Sequence, residues 1–195
     1  MAKLKVVDGG LLKSRGHEVF IGIDQSLTGF AVTAYAPLSG EFYSWVYTSP
    51  YKGVKRLVDI QRFLNECVQD VEARAHTVVD YGMEASVFQS QSASVLGELA
   101  AAVKLKLEPW GVYPLRVPVT MVKKYATNKG TAKKNEVMLG IYKNWDVEFA
   151  DDNMADSYVI ARIVSSVNGS LSKELVYQKE VITAIQATPE KFRDS

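Results

Sequence analysis

The order of strand and helix patterns from His17 onward constrains this chain more than any other feature of its sequence. Three strand-like runs come first, with breaks short enough for antiparallel hairpins: HEVFIGID, TGFAVTAYAP and EFYSWVYTS. A helical pattern, a strand, a second helical pattern and a fifth strand follow, at residues 53–72, 76–84, 91–108 and 111–118. Because strands joined through a helix pair in parallel, the last two strands are predicted to be parallel additions to the sheet.

The remaining regular segments have helical patterns, at residues 119–126, 131–145 and 151–167. We therefore predict an α/β fold with a five-stranded mixed sheet, in which three antiparallel strands are followed by two parallel strands and helices cover both faces. Residues 1–16 are predicted to form a loose arm or a short added strand, and residues 17–169 the domain. Residues 170–195 are an extension, either a strand plus a helix or a partner-binding tail.

Composition limits the class of protein. The chain has 195 residues, of which 47% are hydrophobic and 23% charged, and this suits one domain with a real core. The formal net charge of +1 argues against a histone-like nucleic-acid binder but is compatible with a local basic face. A single cysteine, Cys67, excludes an intramolecular disulfide and a cysteine-based zinc cluster. Since the sequence has neither a long apolar run nor a secretory segment, we expect a cytoplasmic protein without a membrane span.

Two acids end predicted buried strands. Asp24 closes the first strand, and Glu84 closes the fourth. If these strands are parallel neighbours, both side chains emerge at the carboxyl edge of the sheet, where α/β folds place their ligands. Asp24 by itself is equally compatible with a residue that caps a turn. Asp80 lies about 13 Å back along its strand and is interpreted as a solvated or hydrogen-bonded edge residue.

A cluster of acids begins the last predicted helix of the domain. Asp152 and Asn153 precede Asp156 by four and three residues, and both spacings place a side chain on the same helix face as Asp156. Asp151 or Asp152 has a structural alternative, because an acid at a helix N-terminus caps backbone amides. Asp156 lies in the second turn, before an apolar series, and is therefore interpreted as functional.

Four carboxylates at one sheet edge repel each other unless cations lie between them. Oxygen ligands favour Mg²⁺, with Mn²⁺ as a substitute, over zinc. Two such ions would polarise a phosphodiester, activate a water molecule and stabilise the leaving oxygen. The acids therefore predict the chemistry of a metal-dependent nuclease.

A lysine-rich segment, VTMVKKYATNKGTAKK, contains no acid. Its lysines are candidates for contacts with DNA phosphates: Lys123, Lys124, Lys129, Lys133 and Lys134. A lysine there could also offset charge at a scissile phosphate, and the alternative is a solvated helix face. Phe88, in polar surroundings after Glu84, either stacks on an unpaired DNA base or folds back under its loop.

With these residues in view, the chain from about His17 to Val167 resembles the RuvC family of Holliday junction resolvases, within the RNase H-like fold. Four motifs carry the resemblance in the family's order: GIDQSLTGFAV, MEASVFQSQSASVLGELAAAV, VKKYATNKGTAKKNEV and DDNMADSYVIA. The sequence departs from the family pattern at Asn153, where the family has a second helical acid or a histidine. Phe88 is displaced by one residue from the family's aromatic position.

The resemblance implies that Asp24, Glu84 and Asp156 bind metal and that Lys123 and Lys134 lie near the scissile phosphates. For the additional ligand we predict Asp152, because it faces roughly the same way as Asn153 and is a stronger Mg²⁺ ligand. It implies a Mg²⁺-dependent endonuclease that binds branched DNA and resolves four-way junctions by symmetric nicking as a homodimer. Two alternatives remain, a broader branched-DNA or flap nuclease of the same fold and a non-catalytic nucleotide-binding protein of the wider RNase H-like group. The second needs another glycine-rich phosphate loop, which the sequence lacks.

Overall fold

The computed structural model describes residues 15–85, 93–170 and 174–193, and the backbone of residues 3–8. Its strands are β1 (Lys3–Asp8), β2 (Glu18–Asp24), β3 (Phe30–Tyr35), β4 (Phe42–Thr48), β5 (Thr77–Glu84) and β6 (Leu115–Val117). Its helices are α1 (Gly53–Ala73), α2 (Ala93–Leu107), α3 (Val119–Thr127), α4 (Lys134–Trp145), α5 (Asp152–Val167), α6 (Val176–Ala187) and α7 (Pro189–Phe192).

The strands form one mixed sheet in the order β1-β4-β3-β2-β5-β6. Strands β2, β3 and β4 are antiparallel neighbours, whereas β5 pairs in parallel with β2 and β6 in parallel with β5. The predicted five-stranded mixed sheet is therefore confirmed. Strand β1 pairs antiparallel with β4 and adds a sixth strand at the edge of the sheet. Of the two predictions for the N-terminal segment, a loose arm or a short added strand, the second therefore applies to Lys3–Asp8.

Helices cover both faces of the sheet, as predicted, and divide the core into two layers. Helices α1 and α2 pack on one face, and α3, α4, α5 and α6 pack on the other. All six residues of β3 are buried, as are six of the seven residues of β2, because these central strands have apolar neighbours on both sides. The Cys67 side chain lies in the α1 layer of the core.

Helix α5 crosses the sheet directly over β2. A Cβ atom built on Gly22 would lie 2.0 Å from the Ser157 carbonyl oxygen, so only glycine allows the helix to approach this closely. Beneath the helix, the Thr33 hydroxyl lies 2.6 Å from the Ser44 hydroxyl and 2.7 Å from the Ser157 hydroxyl. These buried hydrogen bonds fix the position of α5 along its axis against β3 and β4.

The C-terminal extension is helical where it is described. In α6, Val181, Ile182 and Ile185 are buried against the domain, and the buried Gln178 amide donates to the Tyr125 carbonyl of α3 at 3.1 Å. The strand that was one option for this segment is absent from residues 174–193. Beyond α6, the Arg193 guanidinium pairs with Asp80, a residue that the sequence indicated to be solvated or hydrogen-bonded. None of the helices in the described ranges is both long and apolar enough to span a membrane.

We expect the Gly22→Ala variant to be destabilised by about 3 kcal/mol or more, because its methyl group would overlap the α5 backbone. The measurement is urea denaturation followed by circular dichroism. Gly97→Ala in α2 is the matched control, since a Cβ there meets no atom within 4 Å. Alanine at an open helix position should leave stability unchanged or raise it by up to about 1 kcal/mol. Equal stabilities for the two variants would contradict the close approach at Gly22.

Candidate active site

The parallel pairing of β2 and β5 brings two of the predicted acids together. The paired register ends at Ile23 and Met83, and each is followed by an acid, Asp24 and Glu84. Asp24 is 6% exposed, and Glu84 is half-buried on the same side of the sheet, facing α5. The Gln25 side-chain amide donates to the Glu84 carbonyl and ties the two strand ends together. We did not predict a role for Gln25 from the sequence, although its position directly after Asp24 could have indicated one.

The pKa values of the two strand acids are raised, and each depends on the other acid. Burial raises the pKa of Asp24 well above its usual range, and the negative charges of Glu84 and Asp156 raise it further. Burial also raises the pKa of Glu84, but the hydrogen bond from Asp24 and the nearby charge of Lys123 oppose this rise. The two acids therefore titrate as an interacting pair, in which the charge of Glu84 raises the pKa of Asp24.

Helix α5 supplies Asp156 to the same edge, because Asp156 immediately precedes Ser157, the residue that contacts Gly22. Burial, followed by the charges of Glu84 and Asp152, raises the pKa of Asp156 to about 7. Lys134 and Lys123 partly counter that rise. The shift shows that acids far apart in the sequence interact across one site.

Three residues at the start of α5 were left open as the additional acidic position. The Asp151 carboxylate caps the helix and accepts from the backbone amides of Asn153 and Met154 at 3.0 and 3.4 Å. The Asn153 side-chain amide donates to the same carboxylate at 3.1 Å. Asp152 is the one of the three whose charge raises the pKa values of both Asp24 and Asp156.

Two of the five predicted lysines face these acids. The Lys134 ammonium forms a salt bridge with Asp152, and this contact raises the pKa of Lys134. A cavity of about 20 Å³ is lined in part by Lys123, Lys134, Asp152 and Asp156. This volume suits one water molecule or one ion. Asp152, Asp156 and the two lysines thus surround a common space.

The other three lysines lie further along the same segment. Lys124 pairs with Glu180 of α6 at 2.7 Å, and Lys129 pairs with Glu136 at 3.2 Å. The Lys133 side chain is exposed to solvent at the start of α4. Phe88, predicted as a base-stacking residue, lies outside the described residues.

The side chains offer the donor chemistry of a hard-cation site, since the carboxylates of Asp24, Glu84, Asp152 and Asp156 interact at one sheet edge. Within the described ranges, no group of three His, Cys, Asp or Glu side chains is already arranged to hold a metal ion. Asp152 is instead paired with the Lys134 ammonium, and burial together with the charges of Glu84 and Asp156 raises the pKa of Asp24. A divalent cation at these carboxylates would compete with the Lys134 ammonium for Asp152.

Known family models and curated protein sequences yield no match to this chain. Among solved structures, Thermus thermophilus RuvC in complex with a Holliday junction substrate is similar, with a TM-score of 0.60 and 21% sequence identity over 79% of this chain and 98% of that chain. A second Thermus thermophilus RuvC structure gives a TM-score of 0.58 and 22% identity over 78% and 97% of the two chains. These likenesses confirm the predicted RNase H-like fold and, at the level of the fold, the resemblance to RuvC.

Proposed function

We propose that this protein is a Mg²⁺-dependent, structure-selective endodeoxyribonuclease that resolves four-way DNA junctions by symmetric nicking. The observation that carries the proposal is the convergence of Asp24, Glu84, Asp152 and Asp156 with Lys123 and Lys134 at one edge of the sheet. The likeness to RuvC structures, one of them bound to a Holliday junction substrate, supports the choice of branched DNA. Symmetric cutting of two strands implies that the active form is a homodimer.

Each group in the proposed site has a physical role. Asp24, Glu84, Asp152 and Asp156 would hold the metal through carboxylate oxygens. When bound, divalent ions supply an activated water and Lewis-acid polarisation of the scissile phosphate. Lys123 and Lys134 would approach non-bridging phosphate oxygens and offset the charge that develops in the transition state. A carboxylate binds a cation in its deprotonated form, so the raised pKa of Asp24 opposes metal binding at low pH.

A non-catalytic, nucleotide-binding protein of the same fold group is a less well supported alternative. An acid at the end of β2 with no other acids around it would suit contact with a nucleotide phosphate. Here the end of β2 faces three further acids, which repel a phosphate unless cations intervene. The acid cluster therefore favours metal-assisted hydrolysis.

The decisive experiment compares cleavage of a four-way junction, a flap, a linear duplex and an RNA–DNA hybrid, each with Mg²⁺, with Mn²⁺ and with EDTA. We expect paired, symmetric nicks in the junction with either metal and none with EDTA. Cleavage of flaps at an equal rate would favour the broader branched-DNA nuclease. ATP hydrolysis without DNA cleavage would overturn the proposal.

Lys123 and Lys124 offer a matched test of the role of the lysines, because they are adjacent in α3 but have different partners. We expect Lys123→Met to slow junction cleavage by about 10²- to 10³-fold, since the charge near Glu84 and Asp156 is lost. Lys124→Met removes a charge that pairs with Glu180 and should change the rate by only a few fold. Single-turnover cleavage in Mg²⁺ measures both rates. Equal effects of the two substitutions on the cleavage rate would indicate that Lys123 is only part of a solvated helix face.

A further inference from the structure

A second group of cations lies at the corner between β4 and α1, outside the candidate active site. It consists of Lys52, Lys55 and Arg56, and we call it the basic corner. The side chains of Lys52 and Lys55 are exposed, as is the neighbouring Tyr51, at 37%. The first turn of α1 contains no acid, and among the described residues no salt bridge pairs these cations with a carboxylate. The corner is therefore a positively charged patch whose three cations are not paired with carboxylates in the part of the chain that the structure describes.

The topology places the basic corner at the same sheet edge as Asp24. Strands β2 and β4 are both antiparallel to β3, so they run in the same direction and their carboxyl ends lie together. The Thr48 hydroxyl at the end of β4 donates to the Thr28 carbonyl at 2.6 Å, in the turn that follows Asp24. Lys52 is four residues beyond Thr48, which is at most about 14 Å of extended chain.

The corner is held in one conformation by a buried acid. The Asp59 carboxylate accepts hydrogen bonds from the Tyr47 hydroxyl at 2.8 Å and from the Ser49 hydroxyl at 2.6 Å. Asp59 thereby fastens the end of β4 to the second turn of α1. Close to the cations, the Arg56 Nε donates to the Tyr51 carbonyl at 2.9 Å, and the Lys55 ammonium lies 4.0 Å from the centre of the Tyr51 ring. These contacts restrain Lys55 and Arg56 before any ligand binds.

The basic corner and the lysine-rich segment lie on opposite sides of the candidate active site. Helix α1 packs on one face of the sheet, whereas α3 and α4, which carry Lys123 and Lys134, pack on the other. A DNA strand at the acids therefore has cations on both flanks. When one duplex contacts the lysine-rich segment, a branched substrate has a further arm that can contact the basic corner.

We infer that Lys52, Lys55 and Arg56 bind backbone phosphates of a second DNA arm, on the α1 side of the cutting site. This inference rests on the proposed function and adds to it a surface that distinguishes branched from linear DNA. The Arg56 guanidinium uses one of its five N–H donors within the protein and has the others for phosphate oxygens. The two lysines supply charge without a fixed hydrogen-bond geometry.

The test uses the full chain and a fluorescent synthetic four-way junction in EDTA, with binding followed by anisotropy from low to high salt. We expect the triple variant Lys52→Gln, Lys55→Gln, Arg56→Gln to bind the junction at least about tenfold more weakly at 100 mM salt. The slope of log affinity against log salt should fall by up to about 3, since each B-DNA phosphate contact contributes about 0.9. Binding of a linear duplex should change much less.

The control variant carries Lys143→Gln, Lys179→Gln and Lys191→Gln, which removes the same charge from exposed positions in α4, α6 and α7. Thermal melting of both triple variants checks folding. A loss of junction affinity no larger than that of the control, or an equal loss on linear duplex, would overturn the second-arm assignment. If either result is obtained and the wild-type protein still cuts junctions in Mg²⁺, the second-arm inference fails but the proposed function stands. If wild-type protein neither binds nor cuts junctions, the proposed function fails with it.

Discussion

We expect the Asp24→Asn variant to bind a four-way junction as tightly as the wild-type protein, or more tightly, but to cut it at least about a thousandfold more slowly. The slower cutting follows from the loss of one proposed metal ligand, since metal-ion stabilisation of a transition state is worth several kcal/mol. Binding is retained because asparagine has nearly the same shape as aspartate and places no negative charge near the DNA backbone. Single-turnover cleavage in Mg²⁺ and anisotropy in EDTA measure the two effects.

A control for Asp24 is available on the neighbouring strand. Asp80 lies on the same side of the sheet as Glu84 but pairs with Arg193 and accepts from the Asn168 side-chain amide at 2.7 Å. The Asp80→Asn variant removes an equal charge away from the proposed site and should cut junctions at close to the wild-type rate. Wild-type cutting by the Asp24→Asn variant would show that Asp24 has no role in the chemistry.

The second large effect concerns stability. We expect the Asp156→Asn variant, without metal at pH 8, to be more stable than the wild-type protein by up to about 4 kcal/mol. The pKa of Asp156 rises from 3.8 to about 7 on folding, and each pKa unit corresponds to about 1.4 kcal/mol. An ionised Asp156 is buried beside Glu84 and Asp152, whereas asparagine carries no charge there.

The sign of this effect sets its pH dependence. Between about pH 4 and pH 7 the folded protein holds a proton on Asp156 that the unfolded chain has released. The stability of the wild-type protein should therefore decrease as pH rises through this window and level off above it. The Asp156→Asn variant should lack this contribution, so the two proteins should differ little at pH 4 and most at pH 8.

Adding Mg²⁺ provides the control for the stability experiment. A bound cation offsets the repulsion among the acids and stabilises the folded state by mass action. Thermal melting at pH 8 should therefore show a larger Mg²⁺-dependent increase in Tm for the wild-type protein than for the Asp156→Asn variant. Equal increases, or a variant less stable than wild type in EDTA, would show that Asp156 is not part of a repulsive, metal-binding cluster.

The positions of Asp24 and Glu84 followed from local pattern. Each acid ends an apolar strand, and the order of the elements implied that the two strands are parallel neighbours. Parallel pairing then placed both side chains at the carboxyl edge of the sheet. Local pattern could not distinguish Asp151 from Asp152, because both suit a helix N-terminus. The folded structure separates them, because Asp151 caps the backbone amides of α5 whereas Asp152 pairs with Lys134 from the distant α4.

Local sequence pattern also could not distinguish Lys123 from Lys124. Their side chains are chemically identical and adjacent in the sequence, so both were predicted to bind DNA. In the folded protein, α6 presents Glu180 to Lys124, while Lys123 faces the acids. The packing of α6 against α3 depends on side chains in an extension whose secondary structure the sequence left open. The basic corner was likewise missed, because only the sheet topology brings it to the edge that holds Asp24.

The sequence by itself determined the order of the elements, the mixed sheet and the strand ends that carry acids, because hydrophobic periodicity depends on near neighbours in the chain. The tertiary structure alone decided which acids interact, which lysines face them and which cations flank them. Those outcomes arise from the close contact of α5 with β2 and the docking of α6 on α3, which involve residues more than 40 positions apart. Electrostatic coupling depends on distance in space, and folding rather than chain order sets that distance.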